Sequence, residues 1–139
     1  MKDLIPSLSF EGNCREAMNF YKQCLGGDLR IVTFGEMPQA VPADAAGVDK
    51  DKVLHASLTA GAANLIASDA MPGMAAPQGS AFSICVATES VEETDRLYAA
   101  FGKEGKVIYK LGDAPWGARY GMVADKFGVQ WMFNYSYPR

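Results

Sequence analysis

Several things are scarce in this chain. No stretch approaches the roughly 20 consecutive apolar residues of a membrane helix, so no membrane partner is expected. The opening Met1-Lys2-Asp3-Leu4-Ile5-Pro6 lacks the long apolar core of a signal peptide. Basic residues are outnumbered, 13 Lys and Arg against 16 Asp and Glu, which gives a formal net charge of −3. That balance argues against a nucleic-acid partner, which needs a basic face for phosphates. Cysteine is limited to Cys14, Cys24 and Cys85, an odd count without a CxxC pair. Reduced thiols in the cytoplasm fit this better than a disulfide frame. Cys14 and Cys24 fall ten residues apart on one predicted helix, about 15 Å at 1.5 Å per residue, too far to bridge. Histidine occurs once, as His55. No P-loop, GxSxG or HExxH pattern occurs, and Gly26-Gly27 follows a predicted helix where a nucleotide-type cofactor needs glycines to open one.

What the chain does have is an internal repeat. Shifted by 77 residues, Asn13 lands on Ser90, Glu16 on Glu93, Tyr21 on Tyr98, Ile31 on Ile108, Gly35 on Gly112 and Pro38 on Pro115. Each window reads as strand, helix, strand. In the first, Leu4 to Phe10 is a short apolar strand and Asn13-Cys14-Arg15-Glu16 has helix-cap chemistry. Ala17, Tyr21, Cys24 and Leu25 form one helical stripe, Gly26-Gly27 stops it, and Leu29 to Phe34 follows as a strand. In the second, Phe82 to Ala87 is the strand and Ser90-Val91-Glu92-Glu93 the capping box. The helical stripe is Val91, Thr94, Tyr98 and Phe101, and Lys106 to Leu111 is the next strand. Each half closes with two more strands, Val53 to Thr59 with Asn64 to Ser68, and Arg119 to Ala124 with Val129 to Tyr135. The expectation is an α+β protein of two tandem βαβββ modules, residues 1–71 and 80–139, with one main helix each. The stretch 72–79, holding Pro72, Gly73, Pro77 and Gly79, reads as a linker. Together the modules are expected to build one curved mixed sheet whose open side forms a small-molecule pocket.

The repeat, Phe20-Tyr21 with Leu25-Gly26, and the Asp125-x-x-Gly128 turn resemble the vicinal-oxygen-chelate superfamily of glyoxalases, bleomycin-resistance proteins and extradiol dioxygenases. Within it the chain is similar to PhnB-like proteins. The similarity lies in Ser9-Phe10-Glu11-Gly12-Asn13-Cys14, Phe34-Gly35-Glu36-Met37-Pro38, Ser68-Asp69-Ala70-Met71-Pro72 and Asp125-Lys126-Phe127-Gly128-Val129-Gln130-Trp131-Met132. Metal-dependent members of the superfamily take His, Gln or Glu ligands from the first and last strand of each module. The corresponding positions here fall near Ile5 or Pro6, Ile66 to Ser68, Ala81 to Ser83 and Met132 to Asn134, and none carries His or Glu. No metal and no other cofactor is expected.

The candidate site residues are accordingly few. His55, with a pKa range near neutrality, is the one candidate for acid–base work, and strict alternation puts it on a face with Val53, Ser57 and Thr59. Ser68, Asp69, Ser83, Trp116, Met132 and Asn134 are expected around a ligand, with Asp69 either orienting it, pairing with His55, or simply opening the linker. Trp116, in Pro115-Trp116-Gly117, suits a stacking role or a dimer contact; Tyr109 and Tyr120 share that ambiguity. Cys85 reads as an inert core thiol. The leading expectation is a metal-free small-molecule-binding protein, with weak acid–base chemistry at His55, acting as a homodimer. The alternatives are a metal-dependent lyase or dioxygenase-like enzyme with a displaced metal site, and an interaction dimer with a vestigial pocket.

Overall fold

The computed structural model describes residues 1–41, 47–71 and 82–139. The expected linker 72–79 lies outside them. Contacts divide the chain into two compact units, Met1–Gln78 and Gly79–Arg139. The first unit runs β1 (Ser7–Phe10), α1 (Cys14–Leu25), β2 (Asp28–Thr33), β3 (Val53–Ala60) and β4 (Ala63–Asp69), with a 3-10 turn at Pro38–Ala40. The second runs β5 (Ile84–Ala87), α2 (Val91–Gly102), β6 (Lys106–Ala114), β7 (Ala118–Ala124) and β8 (Gln130–Ser136).

Both units have the same topology. The strand orders are β1-β4-β3-β2 and β5-β8-β7-β6. In each, the first strand pairs parallel with the last and the remaining pairs are antiparallel. The helices start at residues 14 and 91, which preserves the 77-residue spacing; β3 and β7 start at 53 and 118, an offset of 65. The difference is the longer β2–β3 connection of the first module. Its end is fixed by backbone bonds from Phe34 N to Lys52 O and from Gly35 N to Lys50 O, 3.0 Å each.

Each helix packs on one face of its own sheet. In the first module Cys14, Ala17, Met18 and Tyr21 are fully buried and lie over Ala56, Leu58, Leu65 and Ala67. In the second, Phe101 meets Trp131 at 4.6 Å and Phe133 at 5.3 Å between ring centres, with Leu97 and Val123 beside them. Full burial of such a side chain is worth about 1.5–3 kcal/mol, so these layers dominate the stability of each module. At the helix exits Gly27, with φ +92°, and Gly105 come so close to the β3 and β7 backbones that a Cβ would overlap Thr59 O or Ala124 O. Glycine is required at both places by contact, and at Gly27 by conformation as well.

The helix starts differ. Ser90 Oγ accepts from Glu93 N at 3.0 Å and Glu93 Oε1 accepts from Glu89 N at 3.0 Å, a local reciprocal cap. Asn13, expected to do the same for α1, makes no side-chain cap bond. Its place is taken from across the sheet. Asp69 Oδ1 accepts from Gly12 N (2.9 Å) and Cys14 N (3.0 Å), and Oδ2 from Val53 N (2.9 Å). One buried carboxylate at the end of β4 thus holds the start of α1 and the start of β3.

Two outcomes follow. Asp69→Asn, which replaces one acceptor oxygen by a donor, should lower unfolding free energy by about 2–4 kcal/mol, against about 1 kcal/mol for Ser90→Ala, in urea titrations of each variant. Burial, with the nearby Asp69 charge second and Arg15 opposing, pushes the Cys14 thiol from 9.0 up to about 12. The unfolded chain then loses this proton at a lower pH than the folded one, so the thiol's contribution to stability is intact below pH 9.0 and is lost between there and about 12. The limiting slope is about 1.4 kcal/mol per pH unit, and Cys14→Ala should show a shallower alkaline decline than the parent protein.

Candidate functional site

The face of each sheet away from its helix is open, and the candidates gather there. In the first module a bulge decides which residues reach it. The β2–β3 ladder pairs Val32 with His55 but Thr33 with Val53, passing over Leu54. Alternation is therefore reset: Val53, Ala56 and Leu58 are buried under α1, while His55, Ser57 and Thr59 turn to the open side. The expected grouping of His55 with Ser57 and Thr59 holds, but Val53 leaves it because of the extra residue. Ser68 joins that face, with Ser9 as its β1 neighbour.

Asp69 does not join them. It is 5% exposed, points to the helix side, and its two oxygens carry three backbone amides. The expectation that it pairs with His55 or orients a ligand is replaced by an anchoring role. The strand period of two separates it from Ser68, and the three donors complete its coordination.

In the second module the open face is aromatic and sulfur-rich. Tyr109 on β6 and Tyr120 on β7 stand 5.2 Å apart edge to face, and Trp116, on the β6–β7 turn, stands 5.2 Å from Tyr120. Trp116 Nε1 donates to Asn134 Oδ1 at 3.3 Å, which steadies an indole that is still 60% exposed. Met132 pairs with Cys85 on one side and Met122 on the other. Ser83 is exposed just before β5. Of the expected ligand residues in this module, Trp116 and Asn134 are thus in contact and Met132 shares their face. Of Tyr109 and Tyr120, left open by the sequence, Tyr120 proves to be the ring partner of Trp116, and Tyr109 packs on Tyr120 from the other strand. Ladder register brought them together, and the two irregularities in β6 that set it have no sequence signature.

Ionisation on this face is suppressed. Burial raises the Tyr120 hydroxyl, with Cys85 and Tyr109 adding to the effect. Partial burial likewise raises the Cys85 thiol, although the residue is exposed rather than in the core as expected, because strand alternation turns it to the open face beside Met132. A thiol held in its neutral form is a poor nucleophile.

Two kinds of cofactor chemistry can be tested against these residues. For a superfamily-type divalent metal, the open faces offer Ser7, Ser9, Ser68, Cys85, Met132 and Asn134 near the strand centres, with His55 alone as an imidazole. Among the described residues no three His, Cys, Asp or Glu side chains are grouped to hold an ion. This donor set does not fit. For a nucleotide-like group, the usual seat is a helix N-terminus with free amides. Here the Gly12 and Cys14 amides are bonded to Asp69, and the Glu93 amide to Ser90. One amide in the first turn of each helix, Cys14 N and Glu93 N, is thus already bonded to a side chain of the same module. Among the described residues no helix is long and apolar enough to cross a membrane.

Comparison with known proteins agrees with this fold. Residues 2–133 match the family described as 3-demethylubiquinone-9 3-methyltransferase. Protein YjdN of Escherichia coli (strain K12) is 34% identical, over 94% of this chain and 93% of its own. Protein PA1353 of Pseudomonas aeruginosa superposes with a TM-score of 0.86 at 40% identity, covering 98% of both chains. The PhnB protein of Bacillus cereus superposes with a TM-score of 0.76 at 26% identity, covering 97% of this chain and 100% of its own. The fold alone extends further, to a glyoxalase/bleomycin resistance protein from Albidiferax ferrireducens (TM-score 0.65, 13% identity, 99% of this chain and 100% of that one). With the duplicated βαβββ topology, these matches establish that the chain belongs to the 3-demethylubiquinone-9 3-methyltransferase family, alongside the PhnB protein of Bacillus cereus and on a glyoxalase/bleomycin-resistance-like fold.

Proposed function

We propose that the chain is a metal-free small-molecule-binding protein whose second module holds a flat organic ligand against Trp116. The observation that carries this reading is the cluster of Trp116, Tyr120 and Tyr109, braced by the Trp116–Asn134 bond and left exposed. Large rings at an exposed, pre-ordered position bury much apolar area on binding and lose little rotamer freedom. Met132 and Met122 supply deformable, polarisable surface beside them, and Asn134 offers a directional polar contact. Ser83, exposed just before β5, belongs to the same reading as a polar contact; on the first module's own open face, His55 is proposed as a weak acid–base group.

The methyl transfer in the family's name is not taken up. That reaction needs a methyl-donor cofactor, and the sequence has no glycine-rich strand-to-helix turn of the GxGxxG kind to seat one. A homodimer is part of the proposal. Its support is the row of exposed apolar side chains Val107, Ile108 and Tyr109 on β6, the edge strand of its sheet. Sedimentation velocity should give about twice the 15.0 kDa chain mass; a monomer at micromolar concentration would refute that part.

The binding reading has a direct optical test. Trp131 is 1% exposed and donates to Asp125 Oδ2 at 2.9 Å, so Trp116 is the indole that a ligand can reach. A screen of planar aromatic and aliphatic compounds should find saturable quenching by planar ones. That quenching should be lost in Trp116→Phe and weakened about tenfold in Asn134→Ala, a change of ~1.4 kcal/mol. Quenching that is equal in the Trp116→Phe protein, or stabilisation by divalent metal salts with none by any organic compound, would sink it.

A further inference from the structure

The open face of the first module has a different chemistry, and nothing above assigns it beyond His55 and Ser68. Ladder register arranges it in rows. One row runs Ser7 on β1, Ile66 on β4, Ser57 on β3 and Arg30 on β2. The adjacent row starts with Ser9 and Ser68 and ends with His55 opposite Val32. Arg30 and His55 are therefore diagonal cross-strand neighbours on one face, with Ser57 directly opposite Arg30. Such diagonals lie about 7–8 Å apart at Cβ, within reach of a long side chain.

Every polar group in this set can donate a hydrogen bond: a guanidinium, an imidazole N–H and several hydroxyls. Among the described residues, none of Arg30, His55, Ser57 and Ser68 has a side-chain hydrogen bond or ion pair. That is unlike the chain's other well-placed cations. Arg119 is held by Asp95 at 2.9 Å, and Lys52 donates to Gly12 O at 2.9 Å. Among the described strand residues the one carboxylate on the face is Asp28, two residues before Arg30 and on the side of it away from His55, opposite Thr59. A strand face in a protein of net charge −3 thus collects donors with, among the described residues, no carboxylate between Arg30 and His55.

We propose that this face is an oxyanion-binding site, in which Arg30 takes a carboxylate or phosphate group in its planar fork and His55, Ser57 and Ser68 complete the contacts. Guanidinium geometry matches two oxygens of either group, and the hydroxyls rotate to suit the remaining ones. The site uses no residue of the second module. It goes beyond the stacking site proposed above and stands or falls separately.

The single histidine makes the test clean, because one imidazole gives one set of ring-proton signals. The full chain is titrated at one fixed pH with inorganic phosphate, with acetate, and with sodium chloride at matched ionic strength. A saturable movement of the His55 signals is expected with phosphate or acetate and not with chloride. The stronger of the two names the group. The binding midpoint should weaken at least fivefold in Arg30→Ala and tighten in Asp28→Asn, and Trp116→Phe should leave it unchanged. Equal shifts with all three salts, or an unchanged midpoint in Arg30→Ala with the fold intact by circular dichroism, would overturn the site.

Discussion

Each module depends on one buried carboxylate that is saturated by three donors. In the first, Asp69 accepts from the amides of Gly12, Cys14 and Val53. In the second, Asp125 accepts from the Phe127 and Val129 amides through Oδ1 and from the Trp131 indole through Oδ2, all within 2.9–3.0 Å. A buried charge is costly unless such bonds surround it, and here they do. Asp69 ties a helix start to a strand start across the sheet. Asp125 closes the β7–β8 turn and fixes the largest core side chain beneath α2. Neither aspartate is free to touch a ligand.

That constraint separates the two faces of each sheet. The helix side is committed to packing, through the α1 stripe on Ala56, Leu58 and Leu65 and the Phe101–Trp131–Phe133 rings. The open side carries no such load. In the first module it collects Arg30, His55 and hydroxyls; in the second it collects Trp116, two tyrosines and two methionines. Two units with the same strand order and the same helix placement have therefore diverged where packing does not restrain them.

Much of this was legible in the sequence. The 77-residue shift, the order of elements and the Ser90–Glu93 cap follow from glycine stops, cap chemistry and periodicity, which act locally. The failures are tertiary. Asn13 looks like a helix cap, yet a carboxylate more than fifty positions away displaces it. Val53 breaks the strict alternation that would place it beside His55, because the bulge at Leu54 belongs to the pairing of two strands and not to either alone. Asp69 adjoins Ser68 in the chain and faces the opposite way. The meeting of Tyr109, Tyr120 and Trp116 depends on the register of β6, which slips twice.

Those slips have a consequence of their own. β6 is the longest strand and lies at the edge of its sheet, with Val107, Ile108 and Tyr109 exposed. A straight edge of that composition would offer an unbroken row of amides and carbonyls to any strand of any chain. The irregularities between Val107 and Tyr109, and between Tyr109 and Gly112, interrupt that row, while Lys106 and Lys110 put charge at its margins. The strand can thus display apolar side chains in a crowded cell without acting as a template for endless cross-strand growth.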